Sequence, residues 1–211
     1  MLFMRVLVFG DSIAYGKYDS QGGWVDRLKT AYTDRQLRGL EDDLPSIYNL
    51  GVEGETTRRL TARLPREVVT RRNSWDEETD FAFVFAIGIN DSLITDNGDF
   101  FSSPQQYAHD LQELYDTAVL FCKRLLFVGL TPVEDDNPRN QYYRSNRVWE
   151  FEEVLREFTH NHSLPMVQLF ERFDHGKEEE FLYANGLHPN DEGHRLIFDA
   201  VEPKLRTLLA T

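Results

Sequence analysis

Two rhythms of apolar positions alternate along the chain. Arg5–Phe9 is a short run, apolar and partly β-branched, that reads as a strand. Gly22–Tyr32 then places Trp24, Val25, Leu28, Ala31 and Tyr32 on one helical face. Ser46–Leu50 predicts a second strand, and Thr56–Thr70 a helix interrupted near Pro65. Phe81–Ile87 is apolar at each position, as expected of a central strand covered on both faces. The clearest helix follows: Ser103 and Gln106 form a capping-box pattern with Pro104 at the first helical position. Tyr107, Leu111, Leu114, Ala118 and Phe121 continue along one of its faces. Leu125–Leu130 predicts a fourth strand, Tyr142–His160 a helix, and Met166–Leu169 a short fifth strand. Asn190 can cap a last helix whose inward face is Leu196, Ile197, Ala200, Val201 and Leu205.

Strands that alternate with helices imply a parallel sheet wrapped on both faces. The expected fold class is α/β, a three-layer α/β/α sandwich with a flavodoxin-like parallel sheet of about five strands. No repeat or linker divides the 211 residues, so one domain over 1–211 is expected. In such folds, sites form at the carboxyl ends of the strands. The polar motifs obey that rule, since Asp11 and Ser12 follow the first strand, Gly51–Gly54 the second and Gly88–Asp91 the third.

Composition narrows the partners. A net charge of -13 argues against nucleic acid and against anionic membrane surfaces. The apolar start, Met1–Phe9, leads directly into Gly10, Asp11 and Ser12 and lacks a cleavage site, so it reads as a strand and not a signal sequence. No run approaches the roughly 18 apolar residues of a membrane span, and a cytoplasmic location is the default expectation. The single cysteine, Cys122, excludes an internal disulfide and reads as a small buried hydrophobe.

Four short motifs carry the chemistry, and each has a bland alternative. Ser12 sits on a glycine-led turn between strand and helix, which exposes a hydroxyl and aims backbone N–H groups at a nearby anion; a helix N-cap would look the same. Gly54, in the stretch Tyr48–Thr56, can present its N–H as an oxyanion donor, or simply occupy a turn that needs positive φ. Asn90, in Gly88–Asp91, can aim its amide into the cleft or cap the next turn. His188, made rigid by Pro189, is either a general base for Ser12 or a structural histidine. His194 has no standard zinc spacing to His188 and no third ligand, so no metal is expected.

Taken in order, these blocks resemble the SGNH hydrolase superfamily, also called the GDSL-type esterases and lipases. The resemblance runs from Phe9 to Asn190, through Gly10-Asp11-Ser12, Asn49 to Gly54, Gly88-Ile89-Asn90-Asp91 and Gly186-Leu187-His188-Pro189-Asn190. It implies a serine esterase acting on a small-molecule ester, without a cofactor. Ser12 would be the nucleophile and His188 the base, with the N–H groups of Ser12 and Gly54 and the side chain of Asn90 as the oxyanion hole.

One position departs from the pattern. Where the family places an aspartate, three residues before the histidine, this chain has Asn185. Its carbonyl oxygen can still accept from His188 Nδ1–H, whereas its NH₂ would select the tautomer that cannot deprotonate Ser12. In a serine protease the corresponding exchange costs about 10⁴ in turnover, about 5 kcal/mol. The chain is therefore a natural Ser–His dyad, an impaired binding protein for esters or carbohydrates, or a variant altered to trap substrate. Asn185 precedes Gly186, a pair prone to deamidation, so conversion to aspartate in aged protein is expected to restore part of the activity. A phosphate or nucleotide site is a further alternative, but no loop has Walker or dinucleotide spacing.

Some neighbours remain open. Arg58, Arg59, Arg63 and Arg66 form a basic run that either receives an anionic group or neutralises nearby acids. The loop Val133–Arg139 is expected to face solvent. Tyr15, Trp24, Phe100 and Phe101 could wall a pocket, although core packing is the better reading for Trp24.

Overall fold

The computed structural model describes residues 4–40, 44–72, 79–174 and 182–210. Its strands are β1 (Met4–Gly10), β2 (Ser46–Gly51), β3 (Asp80–Ala86), β4 (Arg124–Val128) and β5 (Met166–Val167). They form one parallel sheet in the order β2-β1-β3-β4-β5. Its helices are α1 (Ser12–Tyr15), α2 (Gly23–Leu37), α3 (Thr57–Thr70), α4 (Pro104–Ala118), α5 (Ser145–Asn161), α6 (Phe170–Asp174) and α7 (Asp191–Leu209). The expected α/β sandwich is therefore present. No described helix is long and apolar enough to cross a membrane.

The period of two along each strand separates two cores. Leu7, Phe9, Phe83, Phe85 and Phe127 point to one side, where they meet α3, α4 and α5. Val6, Val8, Ala82, Val84, Leu126 and Val128 point to the other, against α2 and α7. One face is thus built from stacked and edge-on phenylalanines, with Phe9 and Phe85 centroids 5.5 Å apart. The opposite face is aliphatic and receives Trp24, which is fully buried in the core and borders a small cavity shared with Asp11, Ile13 and Ala86.

Several boundaries differ from the sequence reading, each for a local reason. The helix over 57–70 is not interrupted at Pro65. The proline removes one N–H, but the buried stripe Leu60, Leu64 and Val68 carries the helix through it. The helix expected from Tyr142 starts at Ser145, because Asp135 accepts the Ser145 N–H at 2.7 Å and Asn140 takes the Tyr143 N–H at 3.3 Å. The capping box on α4 is only half formed. Ser103 accepts from the Gln106 N–H, but the Gln106 side chain turns to Asp110. Cys122 is buried, and that burial raises its thiol to about 11, so it is an inert packing residue.

Close backbone approach makes the sheet edge that carries the polar motifs. A Cβ added to Gly51 would lie 2.2 Å from the Tyr15 nitrogen, so only glycine lets the end of β2 touch α1. The Val52 N–H donates to the Gly10 carbonyl at 3.0 Å, which ties the loop after β2 to the turn before Ser12.

Candidate active site

Ser12 opens α1 directly after β1, on a turn whose N-cap, Asp11, accepts the Ile13 N–H at 2.8 Å. The first N–H groups of a helix have no intrahelical acceptor, so they are available to a ligand. Ser12 is 7% exposed, and its Oγ lies 2.9 Å from His188 Nε2. These two residues are 176 positions apart, and the parallel sheet brings them together at its carboxyl edge.

His188 stands on a turn closed by two backbone bonds, Ala184 N–H to the His188 carbonyl and Asn190 N–H to the Leu182 carbonyl. Gly186 holds φ +79 within it, and its carbonyl accepts the Glu134 N–H at 2.8 Å. Inside this turn Asn185 Oδ1 accepts from the His188 N–H at 2.8 Å and the Leu187 N–H at 3.2 Å. Backbone N–H groups can only donate, so they decide which end of the amide is oxygen. The same oxygen lies 3.1 Å from His188 Nδ1. Nδ1 therefore carries the hydrogen, and Nε2 presents its lone pair to the Ser12 hydroxyl. The unfavourable amide orientation considered from the sequence is excluded by two backbone donors.

Burial shapes the protonation of the site. His188 is pulled down to about 4, first by desolvation and then by the nearby Lys17 cation, with Glu53 opposing. Among the described residues no carboxylate is hydrogen-bonded to its ring. The imidazole is consequently neutral, in the form a base requires, over the whole ordinary pH range. Asp11 is raised to about 7 by burial and by Asp91, and serves the backbone of α1.

The remaining motif residues also converge. Gly54 holds φ +69 with open space around its Cα, at a turn where an L side chain would be strained. Asn90 Nδ2 donates at 2.9 Å to the carbonyl of Glu55, the residue after Gly54. Asp91 is used differently. Its carboxylate accepts the Thr57 N–H and hydroxyl at 3.1 Å, capping α3 from the 3-10 turn after β3, where Thr56 makes no side-chain cap. Burial raises Asp91 to about 7, so a neutral amide suits this position nearly as well. Asp91→Asn is expected to change stability by less than about 1 kcal/mol, while Asp91→Ala, which leaves buried donors unmet, should cost about 2 kcal/mol in urea unfolding.

Some side chains gathered here gave no signal in the sequence. The Tyr143 hydroxyl bonds Asn90 Oδ1 at 2.7 Å. Tyr18, at φ +68, sets its ring edge against His188 with centroids 5.4 Å apart. His194, fully buried, bonds the Lys17 carbonyl through Nε2 at 3.2 Å, which gives it a structural task. Of the basic run, Arg63 is a clamp: it bonds the Glu55 carboxylate and the Leu50 carbonyl, holding both ends of the Gly54 loop. Arg59 reaches Glu55 and the Gly54 carbonyl, while Arg58 and Arg66 are exposed. The loop Val133–Arg139 faces solvent at Asp135, Asp136, Pro138 and Arg139, with Val133 buried at its start. Tyr15, Phe100 and Phe101 are more than half exposed.

The ordered blocks fit one family throughout. The model of the GDSL-like lipase/acylhydrolase family matches residues 8–196. The chain belongs to that family. Solved structures of similar fold include a lipase/acylhydrolase from Enterococcus faecalis, 23% identical with TM-score 0.74, covering 96% of each chain. An acetylxylan esterase from Geobacillus stearothermophilus is 17% identical with TM-score 0.71, over 95% of this chain and 93% of that one. A lipolytic G-D-S-L protein from Veillonella parvula is 19% identical with TM-score 0.71, over 95% and 97%. These likenesses concern the fold. No curated protein matches the sequence. Within this GDSL-like hydrolase, the departure at Asn185 falls at His188 Nδ1, whose partner is a neutral amide oxygen at 3.1 Å.

Proposed function

We propose that this GDSL-like hydrolase is a serine esterase that cleaves short-chain carboxylic esters through an acyl-enzyme on Ser12. The observation that carries the reading is the relay Ser12 Oγ to His188 Nε2 at 2.9 Å and His188 Nδ1 to Asn185 Oδ1 at 3.1 Å. Ser12 Oγ attacks the ester carbonyl as His188 Nε2 takes its proton. The carbonyl oxygen becomes an oxyanion held by the N–H groups of Ser12 and Gly54 and by Asn90 Nδ2. His188 returns the proton to the leaving alkoxide, and water, deprotonated by the same nitrogen, releases the acid. The Asn185 amide orients the ring as a carboxylate would, but adds no charge to stabilise the imidazolium that forms.

Short acyl esters, acetylated sugars, lysophospholipids and thioesters are the candidate substrates. Likeness in fold to an acetylxylan esterase, with the exposed Tyr15 on the same helix as Ser12 and the exposed Tyr18 ring against His188, puts acetylated sugars first for testing. Purified protein is expected to hydrolyse p-nitrophenyl acetate and to be labelled by a fluorophosphonate at Ser12. Ester binding without either reaction would instead support a binding protein whose turnover was lost at Asn185.

A further inference from the structure

We propose that Tyr143 is a positioning residue of this site: by donating its hydroxyl hydrogen to Asn90 Oδ1, it holds in place the amide whose orientation the Glu55 carbonyl selects, and so keeps the NH₂ end offered to the reacting carbonyl. This inference rests on the esterase reading and names a residue on which that chemistry depends without touching the substrate. The Asn90 side chain is held at both ends. Nδ2 donates to the Glu55 carbonyl at 2.9 Å, and Oδ1 receives the Tyr143 hydroxyl at 2.7 Å. One amide hydrogen is used by Glu55, so the second remains for an oxyanion. Were the amide reversed, its oxygen would face the Glu55 carbonyl, two acceptors with no hydrogen between them. That arrangement would turn the NH₂ to the side of Tyr143.

Tyr143 is suited to this task by its own surroundings. It is only 7% exposed, and burial, followed by the charges of Asp11 and Asp91, raises its hydroxyl well above the ordinary tyrosine range. It therefore keeps its hydrogen at any pH of interest. Its backbone N–H bonds Asn140 Oδ1, and the Asn140 Nδ2 bonds the Glu134 carbonyl at 3.0 Å. The Glu134 N–H in turn holds the Gly186 carbonyl at 2.8 Å, beside Asn185. The segment from Glu134 to Tyr143 thus joins the turn that carries His188 to the amide opposite it.

A double-mutant cycle tests the assignment. Wild type, Tyr143→Phe, Asn90→Ala and the double variant are compared on p-nitrophenyl acetate, with thermal melts to confirm folding. The phenylalanine variant keeps the ring that packs at this position and removes only the hydroxyl. It is expected to lower kcat about 10- to 50-fold with KM within about twofold of wild type, and Asn90→Ala should lower kcat about 100-fold or more. The double variant should match Asn90→Ala within about twofold, because Tyr143 acts only through the amide. A kcat for Tyr143→Phe within twofold of wild type, or a double variant that loses the product of the single effects, would overturn the proposal. Should wild type hydrolyse no ester, the esterase reading fails separately. Tyr143 is then judged on the Asn90 side-chain amide resonances, assigned by their loss in Asn90→Ala. Protection from exchange that vanishes in Tyr143→Phe upholds the anchoring, and unchanged protection refutes it.

Discussion

Ser12→Ala and His188→Ala are each expected to reduce kcat/KM for p-nitrophenyl acetate by at least about 10⁴-fold, about 5 kcal/mol of transition-state stabilisation. The magnitude follows from what each atom does. Without Oγ no acyl-enzyme forms, and without Nε2 a hydroxyl whose proton has nowhere to go is a weak nucleophile. Because the two act as a unit at 2.9 Å, the double variant should be no slower than the worse single one. The residual rate would come from the oxyanion donors acting on water. Steady-state kinetics, with circular dichroism to confirm folding, provides the measurement. Activity in Ser12→Ala above about 1% of wild type would move the nucleophile elsewhere.

The second large effect is a crossing of pH profiles between wild type and Asn185→Asp. In wild type the base is neutral above its pKa of about 4, because desolvation and Lys17 disfavour the imidazolium. Activity should therefore persist to about pH 5 and fall only as the pH drops through about 4. An aspartate at 185 adds a negative charge where Oδ1 now lies 3.1 Å from Nδ1. That charge favours the imidazolium, which raises the pKa of His188 and moves the acid limb of the profile upward. At pH 8 both enzymes hold a neutral base, and the aspartate additionally stabilises the imidazolium formed in the transition state. A gain of about 10- to 100-fold is expected there. It falls short of the full 10⁴ or so of the serine-protease comparison, because the turn already selects the correct tautomer. Near pH 5 the advantage should shrink or reverse. The comparison needs fresh protein in which peptide mapping finds Asn185 intact. Parallel profiles with no gain at pH 8 would show that the charge is immaterial and that the dyad is sufficient.

Much of the scaffold was legible because it depends on neighbours in sequence. The all-apolar run 81–87 marked a strand buried on both faces, and β3 indeed lies inside the sheet between β1 and β4. Asn190 was legible as a cap, and its side chain accepts from the Glu192 and Gly193 N–H groups at 3.0 Å. Where the reading failed, a distant partner intervened. Asp135 moved the start of α5 to Ser145, and Asp91 supplied the α3 cap that Thr56 does not. Pro65 was expected to break its helix, but three buried side chains outweigh one missing hydrogen bond.

By itself the sequence determined the order of elements, the family and the residues that meet at one sheet edge, since periodicity and motif spacing are properties of short stretches. It left Asn185 undecided between an orienting acceptor and a misplaced donor. Only the tertiary structure decided that, because the turn 184–188 takes its shape from Glu134 and the closing bonds at Leu182 and Asn190. That shape aims two N–H groups at one oxygen. The depth of His188 and the grip of Tyr143 on Asn90 were decided in the same way, by burial and by partners far off in the chain. An amide has two chemically opposite ends of nearly equal size, and what surrounds it in space determines which end faces the ring.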